Sequence, residues 1–194
     1  MPKTRTRRNY GYRRYRQIAS RNYFKVKAEF YDIIRFPDNA GQPIFQSKAL
    51  EQQAVDRGVL TFNNMYTGYS YSTSLLALFS YYKVLGVAVE VIPKYNNGDV
   101  VTAQTATFLG IRMGSNIRMN LSEIKAINQN LLLDPRNRQR RYWRTFNTSG
   151  DWQTTSEVLN GALSVGSTDN GVKDAQHIWD LKVSMYLLYK YSKA

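Results

Sequence analysis

Trp179, Leu181, Val183, Met185, Leu187, Tyr189 and Tyr191 occupy every second position of the final segment, with Asp180, Lys182, Ser184 and Lys190 between them. A helix would scatter those apolar residues around its axis. A β-strand, whose side chains point to opposite faces at successive residues, places them all on one side. So long a half-apolar strand needs neighbours to pair with and a second layer to cover it. Phe24, Val26, Ala28 and Phe30 alternate with Lys25, Lys27 and Glu29 in the same way. Leu85, Val87, Val89 and Val91 form one face of another strand, closed by Pro93 and followed by the turn signal Asn96-Asn97-Gly98. Thr102 to Met113 and the short aromatic stretch Arg141 to Phe146 read as further strands. Helical signals are weak. Ser122 to Asn128, with Ser122 as N-cap, and Lys48 to Val55 are short candidates, too short to cover a sheet. The pattern predicts an all-β body of two packed sheets or a closed barrel. Long excursions are expected at Phe36 to Phe45, Phe62 to Ser74 and Asp134 to Arg140.

The chain has 194 residues, 43% of them hydrophobic, which is enough for a core. It has no cysteine, so neither disulfides nor thiolate metal sites hold it together. His177 is the sole histidine, which excludes a zinc site built on several imidazoles and leaves a Ser-His-Asp triad no other base. No apolar run approaches a membrane span. The basic N-terminus is not followed by an apolar core and is not expected to act as a secretory signal.

Charge is distributed unevenly. Residues 1–21 carry Lys3, Arg5, Arg7, Arg8, Arg13, Arg14, Arg16 and Arg21 and no carboxylate, and they include Tyr10, Tyr12 and Tyr15. Such a segment repels itself and has too little apolar surface to offset its ordering entropy. It gains by meeting a polyanion, because each neutralised phosphate releases a counterion. Of the 27 basic residues, removing these eight leaves 19 against 14 acidic ones, so the arm supplies +8 of the net +13 and the remaining chain +5. Arginine forks suit phosphate, and phenol rings stack on exposed bases, so the arm suits single-stranded nucleic acid with little sequence discrimination. The same tyrosines also suit docking onto the body's inner surface. The stretch further suits a nuclear import signal. The expected division is a basic arm over 1–21 and a folded body over 22–194.

A second basic cluster is Arg136, Arg138, Arg140, Arg141 and Arg144. In an extended chain Arg136, Arg138 and Arg140 would project together, as a patch for phosphates or acidic glycans, or as a solvated loop with ion pairs. Tyr66, Tyr69, Tyr71, Tyr81 and Tyr82 suit a protein–protein interface as well as core packing. Catalysis has little to stand on. Asp32, Asp38, Glu90, Glu123, Asp151 and Glu157 show no dyad spacing, and His177 reads as structural or surface. Gly110 and Gly114 lack the Gly-Lys-Ser/Thr of a phosphate loop. No catalytic residue, metal or cofactor is assigned.

Tyr81-Tyr82-Lys83-Val84-Leu85-Gly86-Val87-Ala88-Val89-Glu90-Val91-Ile92-Pro93 resembles a strand motif of circovirus-type capsid proteins, the coat proteins of circular Rep-encoding single-stranded DNA viruses. His177 to Tyr191 resembles their C-terminal strand, Arg141-Tyr142-Trp143 an internal one, and the Arg-Tyr arm their amino end. The chain departs from the family in lacking cysteine, in its short arm and in residues 113–136. The resemblance implies a single eight-stranded jelly roll of two antiparallel sheets with long loops. It also implies self-assembly into a T=1 shell of about sixty copies around circular single-stranded DNA. Import receptors that carry the protein to the host nucleus, and cell-surface glycosaminoglycans, are the further partners it implies; the virion is the implied destination. The other readings of the sequence are the capsid protein of a small RNA virus and a single-stranded nucleic-acid-binding protein that does not assemble. An enzyme is the most distant.

Overall fold

The alternating final segment is strand β10 (Ile178–Ser192), and it lies inside the larger of two sheets. The structure, a computed structural model, describes residues 23–36, 41–50, 56–94, 106–127, 130–144, 152–157, 159–168 and 178–192. Ahead of β10 come β1 (Tyr23–Arg35), β2 (Ile44–Phe45), α1 (Gln46–Leu50), β3 (Val59–Thr61), α2 (Phe62–Thr67), α3 (Ser72–Leu78) and β4 (Phe79–Lys94). Then follow β5 (Thr107–Met113), α4 (Leu121–Ala126), β6 (Leu131–Leu132), β7 (Gln139–Arg144), β8 (Gln153–Thr154) and β9 (Gly161–Ser167).

The larger sheet runs β2-β1-β10-β4-β7, with β8 added to β4, and the smaller runs β3-β9-β5-β6. All the pairings are antiparallel. Setting aside β2 and β8, short additions to the larger sheet, that sheet keeps β1-β10-β4-β7 beside the four strands of the smaller one, of which β6 is also short. The chain crosses repeatedly between the two, and its last strand lies between the first and β4. That is the interleaved double Greek key of an eight-stranded jelly roll.

Burial explains the layers. Val87, Val89, Val91, Leu181, Val183 and Met185 from the larger sheet join Leu109, Ile111, Leu163 and Val165 from the smaller in one core. Each such side chain contributes about 1.5–3 kcal/mol when fully buried. At one end of the core the Tyr66 and Tyr189 hydroxyls meet at 2.5 Å, and Tyr66 also donates to the Ser72 carbonyl at 3.4 Å. Tyr82 donates to the Glu157 carbonyl at 3.1 Å. Burial pushes all three phenols up, Tyr82 to about 12, so they remain neutral donors.

Several local expectations are corrected. The alternation in β4 puts Leu85 on the core face, but the register shifts there: Tyr186 pairs Gly86, Leu187 pairs Val84, and Leu85 is the extra residue of a β-bulge. Val84 packs against the core in its stead. Gly86 is needed beside the bulge, because a Cβ there would stand 2.8 Å from the Trp143 carbonyl oxygen of β7. β4 continues one residue past Pro93, to Lys94. At the other end of β10, Tyr191 has φ +54 and turns outward, 63% exposed, so the core face stops at Tyr189.

Helix α4 begins two residues earlier than a Ser122 cap would place it. Asn120 is the N-cap, its side chain accepting from Glu123 N at 2.9 Å while the Glu123 carboxylate accepts from Asn120 N at 2.8 Å. Helix α1 overlaps the Lys48 to Val55 candidate only at its start, and residues 51–55 lie outside the described residues. The excursion Phe62 to Ser74 holds helix α2 and the start of α3. Thr61 caps α2 by accepting from Asn64 N at 3.2 Å, and Phe62, Met65 and Tyr66 fall on one helical face in the core. In the Asp134 excursion, the Asp134 carboxylate accepts from Arg136 N at 2.7 Å and Asn137 N at 3.1 Å, an Asx turn leading into β7. The arm, the Asn96-Asn97-Gly98 turn, residues 102–105 and 145–146, Asp38, Asp151 and His177 lie outside the described residues.

Candidate nucleic-acid interface

With the even-numbered residues of β1 and the odd-numbered residues of β10 turned inward, the larger sheet presents an outer face in ordered rungs. The first carries Tyr23, Lys190 and Tyr81, the second Lys25, Leu188 and Lys83, the third Lys27, Tyr186, Gly86 and Arg144. Further along stand Glu29, Ser184, Ala88 and Tyr142, then Tyr31, Lys182, Glu90 and Arg140. Adjacent strands are about 4.8 Å apart, so each rung brings side chains from three or four strands into mutual reach.

The two ends of this face differ electrostatically. At the far end carboxylates match every cation named except Arg140. Glu29 takes Lys27 and, at 3.1 Å, Lys182; Asp180 takes Lys94 at 2.8 Å; Glu90 takes Arg138. Hydrogen bonds from Lys27, Lys182 and Tyr31 hold the Glu29 carboxyl down at about 2, against an ordinary 4.5. At the near end Lys25, Lys83, Lys190 and Arg144 have no carboxylate partner among the described residues.

Aromatic rings crowd that near end. Tyr23 stacks on Trp152 with ring centres 5.5 Å apart and planes 11° from parallel. The Lys190 ammonium lies 4.3 Å from the Trp152 ring centre, 4.8 Å from that of Tyr191 and 5.1 Å from that of Tyr81. Lys83 lies 5.4 Å from the Trp152 ring. Trp152 reaches this position because β8, which follows it directly, pairs Gln153 and Thr154 with Tyr82 and Tyr81. Neither Trp152 nor the lysines of this end are singled out by the sequence reading. They are scattered over four segments, and only the strand register assembles them.

The second basic cluster is divided by the structure. Arg136 sits in the Asx turn, so Arg136, Arg138 and Arg140 do not project together as an extended chain would make them. Arg138 pairs with Glu90. Arg140 and Arg144 belong to the outer face with Tyr142, while Arg141 falls on the alternate side with the buried Trp143. The tyrosine cluster divides too: Tyr66 and Tyr82 are core, Tyr69 and Tyr81 half-buried and Tyr71 exposed. The carboxylates in the described segments have structural duties. Asp32 accepts from Ser47 N at 2.9 Å and Ser47 Oγ at 2.6 Å, Glu123 caps α4 and pairs with Arg112 at 2.9 Å, and Glu157 accepts from Thr154 N at 3.0 Å. Among the described residues no cluster of three metal-ligating side chains occurs, and no helix is long and apolar enough to cross a membrane.

The Glu29 cluster gives a testable pH dependence. Its carboxyl titrates lower in the folded chain than in the unfolded one, so the stability it contributes is present above about pH 4.5 and is lost as pH falls toward 2. Melting temperatures of the native chain and Glu29→Gln should differ at pH 6 and converge through that acid window. A gap that stays constant down to pH 2 would contradict the assignment.

No family model matches the chain, and no curated protein matches its sequence. Its shape, however, matches solved virus structures. The coat of the nodavirus of the giant freshwater prawn Macrobrachium rosenbergii, in a semi-empty virus-like particle, superposes with TM-score 0.60 at 7% identity, over 100% of this chain and 89% of that one. Mud crab tombus-like virus gives 0.57 at 12% identity, over 100% and 88%. The BFDV capsid protein, solved as a decamer, gives 0.50 at 10% identity, over 87% and 99%. The fold is therefore the jelly roll of viral capsid proteins.

Proposed function

We propose that the chain is the capsid protein of a small virus of circovirus type, and that it assembles with its own copies into a closed T=1 shell of about sixty subunits around circular single-stranded DNA. The observation that carries this reading is the junction of two features: a capsid-type jelly roll with an uncompensated basic and aromatic end, and an eight-cation arm whose last arginine, Arg21, lies two residues before Tyr23 of that same end. About sixty arms of eight charges would bring about 480 positive charges to one enclosed genome, a large share of a small genome's phosphates. The motif resemblance in β4, β7 and β10 supports a circovirus-type identity, DNA cargo and passage of the protein through the host nucleus by way of its arm. The capsid jelly-roll fold supports a place in the virion. Arg140 and Arg144, exposed on β7, supply cations for nucleic acid or acidic glycans.

Nuclease digestion of material that copurifies with the full-length chain tests the cargo. Sensitivity to a single-strand DNA nuclease after the particles are opened, with resistance before, is the expected result. Cargo removed only by ribonuclease would place the protein with RNA packaging instead.

A further inference from the structure

Tyr23, Lys25, Tyr81, Lys83, Trp152 and Lys190 form a cluster that arm chemistry alone does not account for. We propose that this near end of the larger sheet is a second, body-borne binding site for single-stranded nucleic acid, in which the lysines take phosphates and the Tyr23–Trp152 pair offers a stacking surface for an unpaired base. The inference rests on the packaging function proposed above and adds to it a defined contact outside the arm.

Three features point to this ligand. The first is charge: Lys25, Lys83 and Lys190 have no carboxylate partner among the described residues, whereas Lys27, Lys94, Arg138 and Lys182 toward the other end are paired and only Arg140 there is not, so this end keeps a positive field that a polyanion would complement. The second is the geometry of the rings. Tyr23 and Trp152 are near-parallel at 5.5 Å, an arrangement that a further flat ring can extend, and Leu188 lies between Lys25 and Lys83 as an apolar floor. Stacking needs an unpaired base, so the cluster selects single strands over duplex. The third is continuity along the chain, since Arg21, the last cation of the arm, stands two residues before Tyr23 of the cluster. Ring contacts at 4.3, 4.8 and 5.1 Å also restrain the Lys190 ammonium, which lowers the entropy lost when it meets a phosphate.

The chain carries its own reporter. It has three tryptophans, of which Trp143 and Trp179 are only 3% exposed, and Trp152 is the accessible one. Full-length protein stripped of nucleic acid in high salt is titrated with oligothymidylate of about 16 nucleotides, with oligouridylate, and with a duplex of equal length. Tryptophan emission should be quenched by the single strands and much less by the duplex. Trp152→Phe should remove the quenching while leaving the melting temperature unchanged, and Trp152→Ala should weaken binding about 10-fold. Lys83→Gln with Lys190→Gln should reduce the salt slope of binding by about 1.4. If the oligonucleotides bind but leave Trp152 unquenched and the slope unaltered by the lysine changes, this site is refuted and packaging by the arm stands. If Trp152 is quenched on self-association without nucleic acid, the cluster is a subunit contact and the proposal is overturned. If no nucleic acid binds at any salt concentration, both the site and the packaging function fall.

Discussion

Replacing Lys3 and the seven arginines of residues 1–21 with glutamine will flatten the salt dependence of single-strand binding by about 5 to 6 in log–log slope, roughly 0.7 for each lost phosphate contact. Between 50 and 200 mM salt such a slope is worth about a thousandfold in affinity, so the native chain should release most of its strand over that range. The glutamine variant should bind weakly throughout, keeping only the shallow slope of the body's own lysines. Among the described residues the core begins at Val26 and Ala28, beyond the substituted positions, so the substituted chain should melt at nearly the native temperature. An unchanged slope in a well-folded variant would remove the arm from the binding account.

Gly161→Ala should be among the most damaging single changes in the fold. Gly161 opens β9 opposite Met113 with φ +154, a region that side-chain-bearing residues rarely adopt. A Cβ there would collide with the ring of Phe62, which is fully buried at the start of α2. Backbone strain of about 1–3 kcal/mol and overpacking of about 1–3 kcal/mol together approach the margin of a typical domain. Gly114→Ala separates the two causes. Gly114 also has positive φ, at +80, but a Cβ there meets nothing within 4 Å, so only strain of about 1–2 kcal/mol is expected. Denaturant melts should rank the two variants in that order; equal losses would show that the Phe62 contact relaxes at no cost.

How much of this the sequence reveals depends on how local the cause is. β1 and β10 are legible because a half-buried strand writes its pattern into every second residue, and their thirteen and fifteen residues give the pattern room. The two-residue strands β2, β6 and β8 have no such room and exist through pairing alone. The bulge at Leu85 is hidden because an extra residue in one strand leaves both flanking runs apolar. Helix α2 was within reach of sequence reasoning: Thr61 as a cap and Phe62, Met65 and Tyr66 at helical spacing are its signal. At the interface, the arm's chemistry lies in consecutive residues, but Tyr23, Lys83, Trp152 and Lys190 belong to β1, β4, the approach to β8 and β10. Their meeting is a product of register, as is the division of the Arg136–Arg144 cluster by the Asp134 turn and Glu90.

Electron microscopy of the purified full-length chain tests the central claim most directly. The account predicts uniform closed particles with density inside, built from about sixty copies of the two-sheet unit. A chain that remains a monodisperse monomer at every salt concentration, with or without added single strands, would contradict it.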